Sequence, residues 1–238
     1  MKGLPSYPNP RLRPWRLPLG VPGPNLWYRF CRLGYRLLFP ALYRLEVFNR
    51  HYEPASGSAL YICNHQSFLD PPLMGLALTR PMNFMARESL FRIPVFGEWI
   101  RSQNAFPVKR ASADTAAIKE ALRRLRHGEQ LVVFPEGTRT RDGRVGPFLP
   151  GVAMLARRAA DWVVPVLIEG AFEVWPRTQP LPSLGHVVVA YCRPMHNDQV
   201  RRLGDAQFLT VVRGRIVTMQ AEVRRRRGKP PLGGPQEP

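Results

Sequence analysis

Four short runs, "ALYIC" (59–63), "QLVVFP" (130–135), "VVPVLI" (163–168) and "HVVVAYC" (186–192), are apolar at nearly every position. A strand covered on one face alternates apolar with polar residues, so runs without alternation call for cover on both faces. "MNFMA" (82–86), "AFPV" (105–108) and "LYRLEVF" (42–48) read as further strands. Between them lie helical stretches at 71–79, 112–127, 151–160 and 205–227, and a short helix within 88–101 interrupted at Pro94. Strands separated by helices predict an α/β fold, a single domain whose mainly parallel β-sheet is flanked by helices. A length of 238 residues suits one large domain better than two small ones. Residues 1–24 form a Pro-rich basic arm, 25–227 the domain, and 228–238 a disordered tail. The domain opens with an N-terminal amphipathic helix over 25–39, with Arg29, Arg32 and Arg36 on one side and Leu26, Trp27, Phe30, Leu37 and Leu38 over most of the rest. That pattern fits a helix lying in a membrane interface, and equally a first helix packed on the core with its arginines outward.

Ligands of such sheets bind beyond the carboxyl ends of the strands. Three strand ends carry reactive residues. In "YICNHQSFLDPP" (61–72), an apolar run stops at Asn64, His65 and, five positions on, Asp70. On one continuous helix, His65 and Asp70 would point about 140° apart. Pro71 and Pro72 suit the first turn of a helix, which makes Asp70 the expected N-cap and 64–69 a turn. Such a turn folds His65 back to Asp70, whose carboxylate takes one ring N–H and leaves the other nitrogen as a base. With five His and six Asp in the chain, chance supplies roughly 0.13 pairs at this spacing, so the pair carries weight only in company.

The company is "VVFPEGTRTRDG" (132–143), where a strand empties into Glu136, Gly137, Thr138 and Arg139. Gly137 lets the backbone turn or approach a ligand closely, and Arg139 and Arg141 offer planar guanidinium forks to a phosphate. Alone, this stretch reads as a solvated turn. "NAFPVKR" (104–110) is the third strand end, leaving Lys109 and Arg110, and alone it reads as a charged edge.

N-H-x4-D at 64–70, "FMARESLFRIPVFGEWIRSQNAFPVKR" at 84–110, "FPEGTRT" at 134–140 and "VVPVLIEG" at 163–170 stand in the order found in glycerolipid acyltransferases. Over about residues 25–195 the chain resembles that family, and most of all its bacterial members that acylate lysophosphatidic acid. The resemblance implies that His65 is the general base and that Asp70 orients it and stabilises its cationic form, with no covalent acyl-enzyme. It implies that Arg110, Glu136, Gly137, Thr138 and Arg139 form the acceptor's phosphate and glycerol site, and that Pro165 shapes the wall beside the acyl donor. It implies a reaction between acyl-CoA or acyl carrier protein and a lysophospholipid acceptor, giving phosphatidic acid, with no metal or redox cofactor. Asn104 and Arg87 stand where relatives commonly have Gly and Lys, and "FLPG" (148–151) lacks a Lys common there. Acylation of another lyso-lipid, such as lyso-ornithine lipid or a glycolipid, is the competing enzymatic reading.

Lys and Arg number 35 against 17 Asp and Glu, and only four of the basic residues are Lys. That excess calls for a polyanionic partner. An anionic membrane surface and anionic substrates satisfy it, as would nucleic acid. No nucleic-acid-binding motif is present, so specific nucleic-acid binding is not expected. Cys31, Cys63 and Cys192 lack metal-type spacing and read as small buried residues in a reducing compartment. Neither a signal-peptide pattern nor a long apolar run occurs, which predicts a peripheral protein on the cytoplasmic face of the cell membrane.

Overall fold

The structure, a computed structural model, describes residues 26–109 and 114–232. The predicted arm at 1–24 and Arg110 lie outside the described residues. Among those described, eight strands form one sheet. β1 (Glu46–Phe48), β2 (Ala59–Cys63), β3 (Met82–Arg87), β4 (Ala105–Val108), β5 (Gln130–Val133), β6 (Trp162–Glu169) and β7 (Val188–Tyr191) lie in the order β1-β7-β6-β2-β5-β3-β4, and β8 (Met195–His196) pairs with β6. β6, β2, β5, β3 and β4 run parallel, whereas β6 meets β7 and β8 in antiparallel register. The mainly parallel sheet expected from the apolar runs is therefore present. β2 is central, with Ile62 flanked by Val133 and Pro165, so the loops after β2 and β5 leave the sheet side by side.

All five residues of β2 are buried. Tyr61 and Cys63 pack with Leu73, Met74 and Leu76 of α2 (Asp70–Ala77) on one face. Leu60 and Ile62 pack on the other against Ala121 and Leu125 of α4 (Thr115–Arg126), Val152 and Leu155 of α5 (Gly151–Ala159) and Phe208 and Val212 of α8 (Asp205–Arg226). Each fully buried Leu or Ile of this kind contributes about 1.5–3 kcal/mol. α6 (Ala171–Val174) and α7 (Asn197–Arg201) fill shorter connections. The interruption at Pro94 falls between a 3₁₀ turn (Glu88–Arg92) and α3 (Phe96–Ser102). The expected strand over 42–48 shortens to β1, because the first helix, α1 (Leu26–Tyr43), continues through Pro40.

α1 is turned opposite to a helix of a water-soluble domain. Tyr28, Arg32, Arg36 and Tyr43 face inward and are buried. The Tyr28 hydroxyl accepts from Met82 N–H at 3.3 Å, and Arg36 Nη2 donates to Leu78 O at 3.3 Å. Leu26, Trp27, Phe30, Leu33, Leu37, Leu38 and Leu42 are exposed, Leu26 by 80% and Phe30 by 66%. The reading that packs this helix with its arginines outward is thereby reversed for Arg32 and Arg36. Among the described residues no helix is long and apolar enough to cross a membrane. At the other end, residues up to Pro230 make contacts where a disordered tail was expected: Arg224 Nε donates to Pro230 O at 2.8 Å and Lys229 pairs with Glu173 at 2.9 Å.

Candidate active site

β2 runs into a turn that Asn64 fastens to the next strand. Its side chain donates to Ile168 O and accepts from Ile168 N–H, both at 2.8 Å. His65 follows with its imidazole 17% exposed and Nδ1 2.7 Å from Asp70 Oδ2, and Asp70 is fully buried. The same carboxylate oxygen accepts the N–H groups of Gln66 at 2.6 Å and Ser67 at 2.8 Å. Asp70 does not cap α2. It is the helix's first residue, Leu69 is the N-cap, and the carboxylate turns back into the preceding loop. Pro71 and Pro72 have no N–H to offer, and Leu73 N–H already donates to Leu69 O at 2.9 Å, so every available donor lies upstream. Facing a carboxylate, Nδ1 carries the proton and Nε2 keeps its lone pair.

The loop after β5 completes the setting. The His65 ring stacks on Phe134 with centroids 4.4 Å apart. His65 N–H donates to Glu136 Oε1 at 3.0 Å, and His65 O accepts Thr140 N–H at 2.8 Å. Backbone, ring face and Nδ1 of the histidine are all held. Glu136 thus faces inward, onto the backbone of the site. Burial pushes its carboxyl up to about 7, partly offset by the N–H groups of His65 and Gly146. A Cβ at position 146 would lie 2.9 Å from Glu136 Oε2, so a side chain there would displace that carboxylate oxygen. Gly137 turns the chain at φ +67°. Thr138 is exposed, and Arg139 lies with Cζ 3.5 Å from the centroid of Phe68, which packs in turn on Trp175. The structure therefore brings His65, Asp70, Glu136, Gly137, Thr138 and Arg139 into two adjacent loops. Lys109, the neighbour of Arg110, follows β4, which lies two strands beyond β5, roughly 10 Å across the sheet. Pro165 is buried inside β6 opposite Ile62.

A second tier escaped the sequence reading. Gln66, next to His65, donates from Nε2 to Gly143 O at 3.0 Å and lies 3.3 Å from Glu169 Oε2. Gln220 Nε2 reaches the same two acceptors at 2.9 and 2.8 Å. Arg224 Nη1 meets Glu169 Oε1 at 2.6 Å, and Glu169 is fully buried. The turn bearing the base is thus tied through one carboxylate to the last turns of α8. The signal lay in a stripe at helical spacing, Phe208, Val212, Ile216, Gln220 and Arg224, whose last two members are polar although they continue the apolar face.

The chain matches the family model described as Acyltransferase over residues 44–169. It is 30% identical over 161 residues to the chloroplastic 1-acyl-sn-glycerol-3-phosphate acyltransferase LPAT1 of Arabidopsis thaliana, covering 66% of this chain and 45% of that protein. It is 27% identical over 144 residues to the 1-acyl-sn-glycerol-3-phosphate acyltransferase of Bacillus subtilis, covering 60% of this chain and 71% of that one. The chain spans about half the length of the plant relatives it matches, 45% and 48%. Among solved structures, the 1-acyl-sn-glycerophosphate acyltransferase PlsC of Thermotoga maritima superimposes with a TM-score of 0.72 at 26% identity, over 83% of this chain and 79% of that one.

Proposed function

The chain belongs to the acyltransferase family, and from that premise we propose that it moves a fatty acyl group from a thioester donor to the free hydroxyl of lysophosphatidic acid, giving phosphatidic acid. The observation that carries the chemistry is the 2.7 Å contact from His65 Nδ1 to Asp70 Oδ2, which leaves Nε2 as the base. The acceptor hydroxyl gives its proton to Nε2 as its oxygen attacks the thioester carbonyl. The tetrahedral adduct collapses with loss of the thiolate, which takes the proton back from the imidazolium. Asp70 stabilises that imidazolium and fixes its orientation, as the carboxylate does in a triad. General-base assistance of this kind is worth about 10²–10⁴ in rate. No oxidation state changes and the base is a side chain, so the route needs no metal or redox cofactor beyond acyl-CoA or acyl carrier protein as co-substrate.

Arg139, spread over Phe68 at the mouth of the two loops, is assigned to the acceptor's phosphate together with Arg110. The names of the relatives support this choice of acceptor. The reversed amphipathy of α1 supports a peripheral position with the apolar face in the membrane and the arginines of the chain drawn to its anionic headgroups. The working face is assigned to the cytoplasmic side of that membrane.

The test is turnover of purified protein on a panel of lyso-lipid acceptors. Lysophosphatidic acid is expected to be the best substrate, His65→Ala to lose at least 10²-fold in rate at unchanged thermal stability, and Asp70→Asn to be similarly slow. Inactivity on lysophosphatidic acid with turnover of lyso-ornithine lipid or a glycolipid would reassign the acceptor. A His65→Ala protein with normal rate would end the mechanism.

A further inference from the structure

Six polar side chains gather beneath α1, away from the catalytic turn, and the acyl-transfer mechanism uses none of them. Arg32 and Arg36 reach in from α1, Arg50 and Glu53 from a 3₁₀ turn (Arg50–Tyr52) and the residue after it, Tyr61 from β2, and Tyr191 from β7. Arg32 is 6% exposed, and both tyrosines are fully buried with their rings edge-to-face at 6.4 Å. Glu53 is already engaged. Its carboxylate accepts from the Thr79 N–H and hydroxyl, each at 2.7 Å, and lies 3.8 Å from Arg50 Nε. Arg36 Nη2, on the carbonyl of Leu78, reaches the residue next to Thr79. Arg32, Arg36, Tyr61 and Tyr191 are each close enough to at least two others of the six for their charges to be felt.

What is unusual is the kind of atom left over. Among the described residues, Arg32 Nε and Nη2, Arg50 Nη2 and the hydroxyls of Tyr61 and Tyr191 are buried without a hydrogen-bond partner. Every one is a donor or can act as one. Among the described residues, the guanidinium groups of Arg32 and Arg50 gather about one carboxylate, that of Glu53, which Thr79 already engages, so positive charge is in excess there. Burial lowers the proton affinity of Arg32 and brings Arg36 down to about 10. Donors set in planar forks around an excess of positive charge match an oxyanion.

We propose that this cluster is a buried oxyanion site that takes a phosphate group on Arg32, Arg50 and the Tyr61 and Tyr191 hydroxyls, with Arg36 adding charge beside them. It is separate from the acceptor phosphate assigned to Arg139. It lies one helix thickness, about 10 Å, from the apolar outer face of α1. The phosphate belongs either to a lipid headgroup or to the free ion.

The experiment uses the full chain carrying Arg110→Ala and Arg139→Ala, which removes both guanidinium groups assigned to the acceptor. Inorganic phosphate is titrated by calorimetry at constant ionic strength, with chloride as the balancing anion. One saturable site is expected to remain. Adding Arg32→Met should weaken it roughly tenfold or more, the loss of one charge-assisted fork, and Tyr191→Phe should weaken it several-fold. In phosphate-free buffer Arg32→Met should equal or exceed its parent in Tm, because it removes a buried uncompensated charge. A second arm compares phosphatidylcholine vesicles with and without phosphatidic acid. Thermal protection that needs phosphatidic acid and Arg32 identifies a headgroup as the source, whereas a response to inorganic phosphate alone identifies the free ion. Absence of both responses overturns the site, as does affinity unchanged by Arg32→Met. Should Arg32→Met fail to fold, unchanged affinity in Tyr191→Phe overturns it equally.

Discussion

At the scale of single residues, two carboxylates act on His65 in different ways. Asp70 touches the ring, and Glu136 touches the backbone. Glu136 makes a pH prediction. Its folded-state carboxyl sits near 7, above the value of 4.5 of an unperturbed glutamate. The stability it contributes is therefore full below about 4.5 and is lost as pH rises through 7. Glu136→Gln removes the titration, so the difference in Tm between variant and wild type should move in favour of Gln as pH goes from 5 to 8. A pH-independent difference would show that the carboxyl is not shifted. The two residues also differ in how far they could be read. His65 and Asp70 were legible because their chemistry depends on spacing and on prolines next in the chain. The cap role of Asp70 failed because those same prolines carry no N–H. The inward turn of Glu136 was hidden because its partners, His65 and Gly146, are distant in sequence or ordinary in type.

Among the elements, α1 and α8 define what a linear reading can and cannot reach. Both were placed within a few residues by periodicity. Periodicity gives the faces of a helix but not which one turns inward, and for α1 the polar face did. Phe30→Glu with Leu37→Glu, on exposed positions 66% and 59% accessible, should change stability by no more than about 0.5 kcal/mol. Binding to anionic vesicles should nevertheless fall at least tenfold, since each side chain carries about 1.5–3 kcal/mol of apolar transfer. Unchanged co-sedimentation would remove α1 from the membrane contact. In α8, Arg224→Met strips Glu169 of its charged partner and should cost about 3–5 kcal/mol in denaturant unfolding. The double variant with Glu169→Gln should recover much of that loss. Slowed turnover in the recovered protein, with acceptor KM unchanged, would show that the network positions the turn beyond merely stabilising it.

For the whole molecule, the net charge of +18 attracts any polyanion, and only the salt dependence separates partners. Binding to DNA or RNA should be non-specific and fade toward physiological salt, because it rests on counterion release. Binding to anionic vesicles should persist further, because burial of the α1 face is not screened. Tight, sequence-selective nucleic-acid binding without vesicle association would overturn this division. The sheet order makes the site a property of the fold as a whole. β2 and β5 are neighbours in the sheet although about seventy residues part them in sequence, and strand order is the one level that apolar runs do not encode.

The proposed seat of the outward apolar face of α1 in a membrane would also change what concentration means for this protein. A catalyst held in the plane of the bilayer meets an acceptor confined to the same plane, so their encounters follow molecules per unit area and not moles per litre. Diluting lysophosphatidic acid with inert lipid at fixed total amount should slow the reaction, and adding water at fixed surface composition should not. Under the proposed function KM is then a mole fraction, and the two-dimensional composition of the membrane is the expected control on flux.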